Sequence, residues 1–329
     1  MLDNARGHPW RSRAVLFAVA AAAFTAFGLG GSVVGDLFAV LLGPRDPAME
    51  VGFGRNLLVG LLLAGAFVVN LDIIRLLPFR LQVFVVWGEL LLMFYGFVLS
   101  FDRDFSVIFA VGERSGVSNL YFLITTGAFT TLYVSLIAII IACVLALLGA
   151  LGKLSSNGAA YAISTFYISF FRGTPLLLQV VLIYTGFAQL GFVMDAVPAG
   201  ITALSLCYGA YMAEIFRAGI EGVPNGQREA ARALALSSDV IFRKVVFPQA
   251  MRLIVPPTGN QFIAMLKDSS LISVVGVWEL TKTAQVLGKR DFQVFEFLIA
   301  AAVIYWIMSV VFEVAQARLE SYYGKSDLR

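Results

Sequence analysis

Apolar runs of about 20 residues recur along this chain, and they constrain its fold more than any other feature. An α-helix of that length crosses the hydrocarbon core of a bilayer. Of the 329 residues, 59% are hydrophobic and 14% are charged, whereas soluble domains are about 25% charged. We therefore predict an all-α integral membrane protein with about eight transmembrane helices, located approximately at 14–34, 56–74, 81–100, 120–149, 175–193, 198–218, 253–277 and 295–316.

The basic residues predict the orientation of these helices. If the N-terminus is cytoplasmic and the chain crosses eight times, most of the 24 Lys and Arg residues fall on the cytoplasmic side, as the positive-inside rule requires. Both termini are then cytoplasmic. Arg11 and Arg13 precede the first apolar run as in a signal peptide, but that run continues through Gly28–Val34. This length favours an uncleaved transmembrane helix.

Residue types that hold metals or nucleotides are scarce. Cys143 and Cys207 lie in apolar runs without metal-binding spacing, and His8 is the only histidine, so we predict no metal site. The segment Gly149–Ser155 lacks the spacing of a phosphate-binding loop, so we also predict that this chain binds no ATP. Lys153 within it is interpreted as an anchor at the membrane surface.

One polar loop, residues 219–252, is patterned like folded structure. Pro224 and Asn225 interrupt the preceding helix, and Asn225 is a good residue to cap the next one. We predict one short helix over 227–236, a turn at 237–239, and a second helix over 240–247 that stops at Pro248. Two interpretations of this loop stay open from its composition: a surface for a protein partner, or an amphipathic hairpin lying on lipid headgroups.

The same loop resembles the EAA motif of ABC-importer permeases. The motif appears as Glu229-Ala230-Ala231, with Ala235, Val245, Phe247 and Pro248 at the later positions. Ala235 stands where the family has glycine. Because alanine disfavours positive φ by about 1 kcal/mol, we expect Ala235 to be helical here and the turn to move to Ser237–Ser238.

Three further stretches resemble the polar amino acid branch of that family, in the family's order and spacing. Phe171–Gln179 is similar to its FRGTPLL signature, Gly127–Ser135 to its first core helix, and Met265–Leu271 to its MLKDTSL segment. The resemblance covers residues 120–320. It implies a bacterial inner-membrane protein with a five-helix type I permease core, preceded by three extra helices in residues 1–119 and followed by a cytoplasmic tail at 321–329.

The resemblance also implies partners and roles. Two ATPase subunits would bind ATP and Mg²⁺, an external binding protein would deliver the substrate, and a second permease, identical or related, would complete the path. In the EAA loop, Glu229 would pair with a basic group of the ATPase. Ala230 and Ala231 would allow close docking, and Pro248 would fix the direction in which the chain leaves the loop.

Polar residues inside the predicted helices are candidates for the translocation path or gate, because such residues tend to face a cavity or a partner. Pro256, Pro257 and Gly259 are expected to loosen the helix that carries most of them. Lys267 and Asp268, and likewise Thr174 and Gln179, suit either the path or structural bonds between helices, and Glu214 and Arg217 suit a gate or an interface. The path candidates are Thr174, Gln179, Asn260, Gln261, Lys267, Asp268 and Ser269.

Three other classes of protein are weighed against the ABC permease. A secondary amino acid transporter, the main alternative, predicts inverted repeats and several ionisable residues within the membrane; no repeat is apparent, and such residues are few. A membrane-embedded enzyme needs clustered His, Asp or Cys, and a structural scaffold gives no reason for the two-helix loop. The particular amino acid, the choice between homodimer and heterodimer, and the role of residues 1–119 stay open.

Overall fold

The computed structural model describes residues 9–28, 52–99, 104–111 and 116–324, and its regular elements there are helices. The contacts divide the chain into one unit that ends at Arg103 and another that begins at Asp104. The first unit contains α1 (Pro9–Ala26), α2 (Phe53–Arg75) and α3 (Phe79–Leu99). The second contains α4 (Asn119–Lys153), α5 (Gly158–Gly173), α6 (Leu176–Gln189), α7 (Ala196–Glu221), α8 (Asn225–Ala233), α9 (Ser238–Ile241), α10 (Phe247–Asp268), α11 (Leu280–Arg290) and α12 (Val294–Gly324).

In the first unit, α1 and α2 pack closely because small residues meet at their contact. A Cβ atom added to Gly60 would lie 2.3 Å from Thr25 Oγ1, so only glycine fits there. α2 and α3 are joined by a polar contact, in which Asn70 Nδ2 donates to both carboxylate oxygens of Glu89 at 3.0 and 2.9 Å. The predicted continuation of the first transmembrane helix from residue 29 to 34 lies outside the described residues.

In the second unit, α4 and α7 make the most extensive helix contact, and small residues again permit it. The buried side chains of α4 include Ala138, Ala142 and Ala146, which recur every four residues and therefore lie on one face. Opposite them, a Cβ on Gly209 of α7 would lie 2.9 Å from Leu145 Cβ and 2.6 Å from the Tyr167 hydroxyl. This is the close packing through small residues that membrane helices use.

The predicted transmembrane helix at 175–193 corresponds to α6, but α6 has only 14 residues and forms a bent pair with α5, a helix that the sequence did not predict. The apolar helix α5 precedes α6, and their axes meet at 109° around Thr174 and Pro175. Proline disfavours the helical conformation of the residue before it, and Thr174 is extended, with φ −115° and ψ 146°. The FRGTP sequence therefore forms the elbow of a bent pair rather than the start of a span.

Within the described residues, five helices are long and apolar enough to cross a membrane, and the bent pair would make a sixth. In α1 the described apolar helix, Arg13–Ala26, is shorter than these five. α10 carries Pro256, Pro257, Asn260 and Gln261, which lower its apolar character. The count of eight stays a prediction.

The predicted end of the second loop helix at Pro248 is also wrong. The chain is helical from α9 through a π-helical segment, Phe242–Val246, and on into α10 without interruption. Pro248 lies in the first turn of α10. The wider π-helical turn before it accommodates the missing N–H and the bulk of the ring, which an unbroken α-helix would not.

Candidate coupling loop and translocation path

The loop that carries the EAA-like residues folds as the short helix α8 followed by a tight turn. α8 begins two residues earlier than predicted and ends at Ala233, with Pro224 in place of Asn225 at its N-cap. Arg228 Nη2 donates to the carbonyl of Ile220 in α7 at 2.6 Å. α8 also packs against the π-helical segment Phe242–Val246, so it is fixed to the helices on both sides of it.

The expectation that Ala235 is helical is wrong. Its φ is +54°, the conformation that the glycine of the family motif would favour. Two hydrogen bonds close the turn: Ala235 N–H donates to Arg232 O at 2.8 Å and Leu236 N–H donates to Ala231 O at 3.3 Å. Together they form a Schellman motif, which satisfies carbonyls at the end of α8 and offsets the strain of alanine in this conformation.

The loop residues divide into an outer and an inner group. Glu229, Ala230 and Pro248 are exposed, and Leu234 is 75% exposed. Ala231 is buried at 4% exposure within the main hydrophobic core. The family resemblance implies the same docking role for Ala230 and Ala231. In the structure only Ala230 is accessible, and the small side chain of Ala231 lets α8 pack against the hydrophobic core.

Thr174 and Gln179 meet at the elbow between α5 and α6. Gln179 Nε2 donates to Phe171 O at 2.9 Å, to Thr174 O at 3.0 Å and to Thr174 Oγ1 at 2.8 Å. Gln179 is 4% exposed, so it holds the elbow from inside. Both residues also line a cavity of about 500 Å³ whose other walls are mostly apolar, among them Phe170, Leu178, Leu182 and Phe187.

The polar residues of α10 occupy different environments. Asn260, Lys267 and Asp268 are exposed and Gln261 is half-buried. Asp268 Oδ2 accepts a hydrogen bond of 2.8 Å from the Tyr208 hydroxyl of α7. Ser269 is fully buried, and its hydroxyl donates to Leu266 O at 2.8 Å, a bond within its own segment.

The same helix is not broken at its prolines. α10 continues through Pro256 and Pro257, and the side chain of Gln316 in α12 donates to Pro256 O at 2.5 Å. Gln316 lies directly over Gly259, because a Cβ there would be 1.6 Å from Gln316 Oε1. The predicted loosening is therefore wrong: α10 stays helical at its prolines, and Gln316 binds the Pro256 carbonyl.

A charged cluster joins the ends of α4, α5 and α7. The carboxylate of Glu214 accepts a hydrogen bond from Lys153 Nζ and forms an ion pair with Arg217 at 2.9 Å. Arg217 also pairs with Glu221 at 2.6 Å. Arg172 lies 3.9 Å from the Glu214 carboxylate. The sequence around Lys153 indicates only an anchor at the membrane surface, because no local pattern relates residues 61 positions apart.

A second polar group lies at the N-terminus of α11 and reaches α12. Glu279 is fully buried and caps α11, accepting from Thr281 N–H at 2.8 Å and Lys282 N–H at 2.6 Å. The Tyr305 hydroxyl of α12 donates to the same carboxylate at 2.6 Å. Burial raises the pKa of Glu279, while these hydrogen bonds oppose the rise.

The fold is that of a multi-pass helical membrane protein. The loop between α7 and α10 carries the exposed helix α8, which is held by the helices before and after it. Residues 138–323 match the family of inner membrane components of binding-protein-dependent transport systems. Because this match covers more than half of the chain, the chain belongs to that family, whose members are transport permease subunits rather than enzymes.

Relatives are found in bacteria. The probable amino-acid permease protein YxeN of Bacillus subtilis (strain 168) is 36% identical over 198 residues, 59% of this chain and 88% of YxeN. The putative glutamine transport system permease protein GlnP of Rickettsia bellii (strain RML369-C) is 40% identical over 186 residues, 56% of this chain and 85% of GlnP. These matches confirm the family resemblance drawn from the motifs.

A solved structure agrees with these relatives. The crystal structure of an amino acid ABC transporter with histidines matches 62% of this chain and 94% of its own chain, with 38% identity and a TM-score of 0.58. The comparisons favour the permease over the secondary transporter. The site residues and the division at 119/120 stay predictions.

Proposed function

We propose that this chain is the permease subunit of an ATP-driven, binding-protein-dependent importer of polar amino acids. Family membership supports the transport class. The substrate class is carried over from the relatives, since YxeN is named an amino-acid permease and GlnP a glutamine permease. The three stretches that resemble the polar amino acid branch support the same substrate class.

The proposed assembly contains three kinds of partner. Two ATPase subunits hold ATP and Mg²⁺, which this chain does not bind. A second permease, identical or related, completes the translocation path, and an external binding protein delivers the amino acid. Both termini and the loop 219–252 lie on the cytoplasmic side, in keeping with the distribution of Lys and Arg.

The exposed outer group of α8 is the observation that carries this proposal. Glu229, Ala230 and Leu234 offer a carboxylate, a small side chain and an apolar side chain on one accessible helix. Such a surface suits a groove on the ATPase subunit that contains a basic group and lets the backbone of α8 approach closely. A braced docking helix also suits the transmission of force, because a frayed loop would absorb the movement of its partner.

The route of that force follows from the helix connections. α8 packs on the π-helical segment, which continues into α10. α10 is in turn packed on α7, where a Cβ at Gly219 would lie 2.5 Å from Ile254 Cγ1. Displacement of α8 by the ATPase therefore moves α10 as a rigid rod against its neighbours, which is the kind of element that an alternating-access change requires.

The residues proposed for the path play unequal roles. Lys267 and Asp268 are exposed charges near the end of α10 and are suited to bind the charged groups of an amino acid. Asn260 and Gln261 lie earlier in the same helix. Thr174 and Gln179 shape the α5–α6 elbow through their hydrogen bonds. Ser269 is buried, so we assign it a structural contribution beside the path.

The test uses the complete transporter in proteoliposomes with its own ATPase and binding protein. We expect amino-acid-loaded binding protein to stimulate ATP hydrolysis by wild type and not by Glu229→Arg, which reverses the charge on α8. Glu313→Arg is the control, since Glu313 is an exposed acid on α12, outside the loop. Normal stimulation of Glu229→Arg would contradict the coupling role, and failure of every amino acid on wild type would contradict the substrate class.

A further inference from the structure

The turn between α11 and α12 presents an aromatic side chain in an unusual way. Phe292 has a φ of +55° and is 92% exposed. Bulky residues rarely adopt positive φ, and a large apolar side chain exposed to this extent makes few contacts with its own chain. The turn therefore combines a disfavoured backbone with an aromatic ring that points away from the fold.

Hydrogen bonds of the backbone impose this conformation. Gln293 N–H donates to Gly288 O at 2.8 Å, and Asp291 N–H donates to Leu287 O at 3.1 Å. The first of these closes a Schellman turn with Phe292 at the position where glycine is usual. Gly288 fits tightly beneath it, because a Cβ there would lie 2.6 Å from Val294 Cα. The ring is thus carried on a compact and well-packed turn.

Side chains brace the same turn against the start of α4. Arg290 donates to both oxygens of Asp291 at 2.7 Å, and its Nη2 donates to Asn119 Oδ1 at 2.9 Å. Asn119 is buried, and its Nδ2 donates to Val107 O at 2.9 Å. The Arg290 guanidinium holds the pKa of the Asp291 carboxyl below its usual range, so this brace is charged at neutral pH.

The surroundings of the ring are basic. α11 buries one face, which includes Leu280, Ala284 and Leu287. Its last turn carries Lys289, which is exposed, and Arg290, whose side chain is 48% exposed. Phe292 therefore projects from a rim in which Lys289 carries the net positive charge, because Asp291 offsets the charge of Arg290.

We propose that Phe292 and Lys289 form a docking surface for the external substrate-binding protein, and that the partner offers an apolar pocket with a carboxylate at its edge. This inference rests on the proposed function, because the family depends on a binding protein and the proposed orientation puts this turn outside. An aromatic anchor held rigidly in a polar rim is the usual form of an interface hot spot. Contact with lipid would not require such a turn, since any exposed apolar side chain satisfies the bilayer.

The test measures how ATP hydrolysis by the whole transporter in nanodiscs depends on the concentration of loaded binding protein. Phe292→Asn removes the ring but keeps a residue that tolerates positive φ. We expect it to raise the half-maximal concentration about tenfold, with the maximal rate unchanged. Phe292→Tyr, which keeps the ring, should stay within about twofold of wild type.

A second variant tests the basic rim. Lys289→Glu should raise the half-maximal concentration most at low ionic strength, since charges at a rim act mainly on association and are screened by salt. Wild-type concentration dependence for Phe292→Asn would overturn the inference. A loss of membrane-inserted protein with unchanged binding would overturn it too, in favour of a lipid anchor. Wild type that no binding protein stimulates would instead contradict the proposed function, and this inference with it.

Discussion

The N–H of Leu236 donates to the carbonyl of Ala231 at 3.3 Å, across an alanine that has left-handed backbone geometry. This bond closes the end of α8, while the Ala231 side chain is buried beneath it. The docking helix is thus fixed at its C-terminal end by backbone geometry and core packing together. A substitution at Ala235 can therefore change the stability of α8 without changing Glu229, Ala230 or Leu234 on its exposed surface.

Substitution of Ala235 by glycine should stabilise the loop. Glycine adopts a φ of +54° without the steric cost that alanine bears, which is about 1 kcal/mol. Thermal unfolding of the purified protein in detergent would measure the change. Ala233→Gly is the matched control within α8 and should destabilise by about the same amount. Destabilisation by both substitutions would contradict the left-handed turn.

The contact between α4 and α7 should fail when its glycine is enlarged. Gly209→Val would place atoms where Leu145 Cβ and the Tyr167 hydroxyl lie within 3 Å of an added Cβ. Overpacking of this kind costs about 1–3 kcal/mol, so we expect a lower yield of folded protein and a lower unfolding temperature. Gly186→Val is the control, since nothing lies within 4 Å of an added Cβ there. Size-exclusion profiles in detergent separate the two outcomes.

The charged cluster at Glu214 should contribute more to stability than a surface ion pair does. Glu214→Gln leaves Lys153 and Arg217 without the carboxylate they share, and loss of one partner in a half-buried network costs about 1–3 kcal/mol. Asp239→Asn removes the exposed pair with Arg243 and should cost less than about 1 kcal/mol. Unfolding temperatures that fall equally for both variants would refute this ranking.

The contact of Gln316 with α10 offers a test by double substitution. Gly259→Ala forces a methyl group into the space of the Gln316 amide, 1.6 Å from its oxygen. We expect this variant to lose coupled transport, and Gln316→Ala to restore part of it by making room. Amino acid uptake into proteoliposomes, normalised to inserted protein, measures the effect. Strictly additive losses would show that the two residues do not act on each other.

Sequence analysis predicts the family and the approximate position of most helices because both depend on local signals. Apolar runs mark the helices, and Glu229 to Pro248 and Phe171 to Gln179 carry motifs with fixed spacing. Motif positions do not report conformation. The steric cost of positive φ for alanine predicts a helical Ala235, but two backbone hydrogen bonds decide its geometry.

Other errors of the sequence analysis have a tertiary origin. The pairing of Lys153 with Glu214 depends on how α4 and α7 cross, and nothing near either residue indicates it. The burial of Ala231 likewise depends on which face of α8 meets the core. The bend at Thr174 has a local cause in Pro175, but α5 is interrupted by enough polar residues that its apolar character is less evident than that of α4.

Site-specific photocrosslinking tests whether the exposed face of α8 lies against an ATPase subunit. A photoreactive residue at Ala230 should crosslink to the ATPase in the assembled transporter, whereas one at Leu148, which is 61% exposed on α4, should crosslink to lipid. Crosslinks from position 230 to lipid alone would contradict the account and would make this loop an amphipathic hairpin on the membrane surface.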